Sequence, residues 1–186
     1  MQKIISLYQR NYETDRLVRD EVVPGAEWVV NGEGIATRKL DGTCCMISVG
    51  VFYKRYEVKK GKIPPEYFIP AGDIDLNTGK WQGWLPVGDG SADQYHRIAY
   101  REYSPVSGIV PKDGTYELLG PKVQGNPEGC RDFVLMKHGC IEIDDVPRKF
   151  KALKKWLAGE DIEGVVWHHP DGRMVKIKKK DFGLKR

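Results

Sequence analysis

Extended patterns of apolar and polar positions recur in several segments of the chain, and helical spacing is clear in one late stretch. Residues 27–58 carry the extended pattern. Glu-Trp-Val-Val (27–30) and Ile-Ala-Thr-Arg-Lys-Leu (35–40) read as strands, with Gly32-Glu33-Gly34 turning between them. Asp41-Gly42 marks a second turn, and residues 43–53 form a β-branched and aromatic run. The segment as a whole predicts an antiparallel meander. Residues 115–119 and 131–137 give two further strands, separated by the Gly/Pro-rich stretch 120–127.

The helix follows. Asp144-Asp145 place negative charge before it, Pro147 suits its first turn, and Gly159 suits its end. Phe150, Leu153, Trp156 and Leu157 form its apolar stripe, and its lysines lie off that stripe as a solvated face. A hairpin closes the pattern, with residues 162–167 leading into His168-His169-Pro170-Asp171-Gly172 and residues 174–178 returning. Period 2 puts Lys176, Lys178 and Lys180 on one face and Val175 and Ile177 on the other. Lysines on the same side of a buried sheet repel each other unless something anionic sits among them. The pattern alone therefore suggests a phosphate site.

Residues 61–114 break the rhythm. They are rich in Pro, Gly and Asp, and read as a long excursion with a helix near 93–100. Trp81 and Trp84 are expected to plug this excursion onto the core rather than to stack on a base.

Composition narrows the class. At 186 residues the chain suits one domain with a real core. With 40% hydrophobic and 30% charged residues it is neither disordered nor fibrous. No run approaches the ~18 apolar residues of a membrane span, and residues 1–10 lack the apolar core of a signal peptide. Cys44, Cys45, Cys130 and Cys140 form no Cys-x-x-Cys pair, so a zinc framework is not expected. They read as small buried hydrophobes in a protein of the reducing cytosol. The net charge of +4 permits a polyanionic partner without requiring one. Basic residues nevertheless concentrate late, at Arg148, Lys149, Lys151, Lys154 and Lys155 and again from residue 173 to the end. His168-His169 read as turn residues rather than metal ligands.

Four segments carry chemistry in an informative order: Lys39-Leu40-Asp41-Gly42, Glu117-Leu118-Leu119-Gly120, Glu163-Gly164-Val165-Val166 and Lys176-Ile177-Lys178. Each is ordinary alone. Together they resemble motifs I, III, IV and V of the covalent nucleotidyltransferase superfamily of polynucleotide ligases and RNA capping enzymes. Residues 117–126 look most like the RNA ligase branch.

The resemblance implies an α+β fold, an adenylyltransferase (ATP-grasp-like ligase) domain with central antiparallel sheets and flanking helices. It would occupy residues 1–186 as a single domain. The eight residues after Lys178 leave no room for the OB-fold or helical domain that many relatives append. The implied activity is ATP-dependent RNA ligation. Lys39 would attack the α-phosphate of ATP, and Lys176 and Lys178 would clamp that phosphate. Arg38 and the two later lysines would favour the neutral Lys39 amine by like-charge repulsion. Glu117 would hold ribose hydroxyls, and Glu163 would engage Mg²⁺, with Mn²⁺ as a substitute. Arg38 and Leu40 would flank the nucleotide, Arg55 would contact the ribose, and Met136 would pack on the base. Cys44 stands where many DNA ligases have an arginine. The implied partner is RNA with 5′-phosphate and 3′-hydroxyl ends, without membrane or obligate protein partner. A GTP-dependent capping-type enzyme and a catalytically idle RNA-binding module are the alternatives.

Overall fold

The computed structural model describes residues 4–76, 78–107 and 111–186, with the backbone alone at 104–107. In chain order its strands and helices are β1 (Ile5–Ser6), β2 (Tyr8–Arg10), β3 (Val18–Val22), α1 (Glu27–Val30), β4 (Ile35–Lys39), β5 (Thr43–Ser48), β6 (Val51–Val58), β7 (Ile69–Pro70), β8 (Trp81–Pro86), α2 (Gln94–Ser107), β9 (Gly114–Leu119), β10 (Val134–Lys137), α3 (Phe150–Gly159), β11 (Gly164–His168) and β12 (Met174–Lys178). This is a mixed α+β architecture of mainly antiparallel sheets with flanking helices. The chain divides into two compact units, Asp41–His138 and Ile4–Leu40 with Gly139–Arg186.

The unit built from both ends of the chain holds a four-stranded sheet in the order β1-β12-β11-β4. Val165, Trp167, Val175 and Ile177 alternate onto one face and are fully buried. Leu153 and Leu157 of α3, also fully buried, belong to the same core. Tyr8, Phe150 and Phe182 add a cluster of edge-on rings. The other unit carries a six-stranded antiparallel sheet in the order β10-β9-β5-β6-β8-β7. Its core collects Cys45, Ile47, Phe52, Tyr116, Leu118 and Leu135 with Ala99 of α2.

Several local expectations are corrected. Glu27–Val30 is a helical turn, not a strand, because Trp28 and Val29 reach the core best from one side of a coil. Gly34 then passes so close to Trp28 that a Cβ would lie 2.4 Å from its ring, and its φ of +74° also calls for glycine. The run 43–53 is two strands, folded back at Val49-Gly50 with φ of +49° and +73°, the signature of a tight hairpin turn. There is no continuous meander from β4 into β5, because β4 pairs with β11 in the other sheet. The second strand of 131–137 begins only at Val134. The late helix starts at Phe150, leaving Asp144, Asp145 and Pro147 before it, and includes Gly159. Lys180 leaves the strand for a short 3-10 turn, Lys179–Phe182.

The 61–114 stretch carries short elements, and the helix expected near 93–100 is α2, which runs on to Ser107. Within the stretch, residue 77 and residues 108–110 lie outside the described residues. The rest supplies β7, β8 and α2. Trp84 is buried, and the Trp81 indole donates to the Gly72 carbonyl at 2.7 Å, so both rings anchor this segment to its unit.

Candidate active site

Gly164 sits in the middle of the first cluster. It faces Lys39 of β4 on one side and Lys178 of β12 on the other. A Cβ there would meet the Ile177 carbonyl oxygen at 2.1 Å, so only glycine lets the three strands close up. Cross-strand partners share a face. Lys39, Lys178 and, two residues back, Lys176 therefore stand on one side of the sheet, opposite Val165, Val175 and Ile177.

Glu163, at the bend before β11, lies between the lysines. Its Oε2 accepts from Lys39 Nζ at 2.5 Å, and its Oε1 accepts from Lys178 Nζ. Burial pushes its carboxyl upward, but the two ammonium groups outweigh burial and hold it below the usual carboxylate range. Lys176 shows the opposite balance. Burial, reinforced by repulsion from Lys178 and Lys39, lowers its ammonium to about 8. The strand end is braced from behind. Asp181 accepts the Lys178 backbone N–H at 2.9 Å and a contact from Arg10, while Lys179 donates to the Glu160 carbonyl at 2.6 Å.

Arg38 does not join this cluster. Strand alternation turns it to the other face, where its guanidinium donates to the Asp161 carbonyl at 3.1 Å. Leu40 is buried.

The second cluster belongs to the six-stranded sheet. Glu117 on β9 faces Met136 on β10 and Cys44 on β5. The register then carries Arg55 of β6 opposite Trp84 of β8, and Arg55 lies over the indole ring at 4.8 Å from its centroid. Lys54, next along, turns to the opposite face and pairs with Asp93 at 2.6 Å. The sequence pair Lys54-Arg55 thus splits into one structural and one site-facing cation.

Glu117 is buried and held at both oxygens. Oε1 accepts from the Gly42 N–H at 3.1 Å, and Oε2 lies 2.7 Å from His138 Nε2. His138 Nδ1 lies 2.9 Å from Thr115 Oγ1, which fixes the ring. Gly42 is required, because a Cβ would meet the Leu118 carbonyl oxygen at 2.2 Å. Phe133, the aromatic residue three positions before Met136, is stacked on Tyr95 at 4.6 Å against the core.

Sequence reasoning passed over His138 and Cys44 as site residues. A signal existed for His138, two residues after Met136 and therefore on the same face. The cysteines are not uniformly buried hydrophobes. Cys45 is buried in the core, Cys44 and Cys130 are half-buried, and Cys140 is exposed. Among the described residues, Cys44, Glu117 and His138 bring a thiol, a carboxylate and an imidazole within 4.8 Å of one another, a set able to hold a metal ion. His168 and His169 stay in structural contacts, His168 with Thr37 at 3.1 Å and His169 with Glu33 at 3.0 Å. No helix among the described residues is long and apolar enough to cross a membrane.

Known proteins resemble this chain in sequence. The family model for RNA ligase 1 matches residues 101–186. Curated RNA ligase 1 proteins of rat, mouse and zebrafish are 24%, 25% and 25% identical, each over 81% of this chain and 67% of the relative. The chain is similar to RNA ligase 1 proteins. The stretch matched by the RNA ligase 1 model contains Glu117, Met136, His138, Glu163, Lys176 and Lys178. Lys39 lies upstream of that stretch, and the structure joins it to the matched residues through the β4–β11 pairing and the Glu163 contact.

Proposed function

We propose that this chain is an ATP-dependent RNA ligase acting through a covalent lysyl-AMP on Lys39. The observation that carries the proposal is the Glu163 carboxylate shared by Lys39 and Lys178, with Lys176 on the same face. A lysine at a strand end inside a group of like charges is placed to meet a polyphosphate. Glu163 keeps that group neutral enough to fold while no phosphate is present.

In the first step the Lys39 amine, having given up a proton, attacks the α-phosphorus of ATP. A P–N bond forms, the P–O bond to the β-phosphate breaks, and pyrophosphate leaves. Lys178 and Lys176 stabilise the charge that builds on the α-phosphate oxygens. Glu117 accepts from ribose hydroxyls, Arg55 adds a further contact there, and Met136 packs on the base. Arg38 and Leu40 set the strand from which Lys39 projects. In the second step an RNA 5′-phosphate oxygen attacks the same phosphorus, the P–N bond breaks, and RNA-adenylate forms. In the third a 3′-hydroxyl attacks the RNA phosphate and AMP departs.

Glu163 also fits Mg²⁺. It is a hard oxygen donor, and Mg²⁺ keeps several waters and takes one or two carboxylates with substrate phosphates. With both oxygens on lysines, Glu163 would hold the ion through water, and the bound ion would neutralise phosphate charge. The adenylyltransferase fold, the action of residues 1–186 as one nucleotidyltransferase domain and a role in RNA repair belong to the same reading.

A sealing assay tests it. Singly 5′-labelled RNA with a free 3′-hydroxyl, incubated with ATP and Mg²⁺, should give joined or circular product. An adenylated chain that transfers AMP but joins no RNA would overturn the ligase assignment. Better labelling with GTP than ATP would point to a capping-type enzyme.

A further inference from the structure

We infer that Cys44, Glu117 and His138 form a binding site for a thiophilic divalent cation of the zinc class, separate from the Mg²⁺ role of Glu163. Three features carry this. The donor atoms come from two neighbouring strands and the residue just past a third, and already lie within 4.8 Å of one another. Cys44 and Glu117 are direct cross-strand partners, and His138 reaches Glu117 from just past β10.

Two of the donors are also oriented as metal sites require. Metal-bound histidines give their second ring nitrogen to an outer partner, which fixes tautomer and ring angle. Thr115 Oγ1 is that partner for His138 Nδ1. Glu117 is fixed likewise, because the Gly42 N–H holds Oε1 and turns Oε2 toward the imidazole. Cys45 cannot serve as a further ligand, since it turns to the opposite face and is fully buried in the core.

The chemistry of the set selects the ion. Thiolate and imidazole favour zinc-like cations, whereas Mg²⁺ prefers oxygen alone. Three protein donors leave a fourth position for water or a ligand oxygen, as in open zinc sites. The thiolate is the metal-binding form of cysteine, so binding expels the Cys44 thiol proton and affinity rises with pH.

A consequence follows that rests on the proposed ribose role of Glu117. Metal and nucleotide would then compete for one carboxylate, and zinc would inhibit adenylation reversibly.

Cobalt(II) is the probe, added to the full chain, because its thiolate charge-transfer absorption reports the sulfur ligand directly. The expected result is a saturable band at one ion per chain. Cys44→Ser should lose it, while Cys130→Ser and Cys140→Ser keep it. Thr115→Val should weaken binding about 10–100-fold, the usual effect of removing an outer partner. Absence of the band, or its persistence in Cys44→Ser, overturns the site. Displacement of cobalt by ATP supports the shared use of Glu117. A band unmoved by ATP, in a chain that still takes up AMP on Lys39, overturns the competition and leaves the adenylation reading standing.

Discussion

The two carboxylates of this chain are held in opposite ways. Glu163 is clamped by two ammonium groups, Lys39 and Lys178, and its charge is fixed by them. Glu117 is held by a backbone N–H and an imidazole, contacts that steer its oxygens without surrounding it with full charges. The first arrangement suits a partner that replaces charge with charge, such as a phosphate drawn to the lysines. The second suits a partner that offers hydroxyls or a soft cation. Burial alone does not define a functional carboxylate. Both are buried or nearly so, and their neighbours set what each can do.

Substitution of Glu163 should have the largest effect. Glu163→Gln leaves three lysines on one face without a counter-charge. Unfolding in urea should show a loss of about 3 kcal/mol, the lower end for breaking a buried ion pair because the groups are partly exposed. Adding Lys178→Met should restore part of it. If Glu163→Gln unfolds like the native chain, the charge clamp is not what holds this face.

Glu117→Gln should cost less. Glutamine still accepts from Gly42, and only the charge on His138's partner is lost, so about 1 kcal/mol is expected. In adenylation kinetics the KM for ATP should rise with kcat little changed. Equal penalties at the two positions would erase the contrast.

Lys176 sharpens the comparison through pH. Its folded ammonium titrates at about 8 against an ordinary 10.5. Between these values the unfolded chain binds more protons than the folded one, so this residue makes stability rise with pH across that window. Below pH 8 both states are charged and the burial penalty is fully present. Lys176→Met should be more stable at neutral pH and lack the rise, as read by thermal unfolding at stepped pH. ATP binding should weaken as pH passes 8 upward, when the folded lysine loses its charge.

The smallest effect should come from Val49, remote in role from both carboxylates. A β-branched residue at φ +49° is disfavoured there. Val49→Asn should raise stability by under ~1 kcal/mol and leave adenylation unchanged.

Much of this was legible in the chain. The terminal hairpin, the lysine face and the four motif segments follow from alternation and order. Period 2 also places Lys39 opposite Arg38, although adjacency in sequence suggests that the two act together. What the alternation does not carry is sheet membership. Nothing in residues 35–53 says that β4 pairs with β11 while β5 pairs with β9. That choice depends on Gly164 allowing close approach between strands far apart in sequence. The hairpin at Val49-Gly50 was hidden because valine occupies a position where asparagine usually announces the turn. Cys44 read as a mere departure because its partners, Glu117 and His138, are 73 and 94 residues away.

The proposed chemistry requires a covalent bond between Lys39 and AMP. The most direct measurement is mass spectrometry of the full chain after incubation with ATP and Mg²⁺, followed by peptide mapping. The expected result is a mass gain of one AMP, located on Lys39, reversed by pyrophosphate and absent in Lys39→Ala. AMP on any other residue, or no adduct on a folded chain that binds ATP, would contradict it.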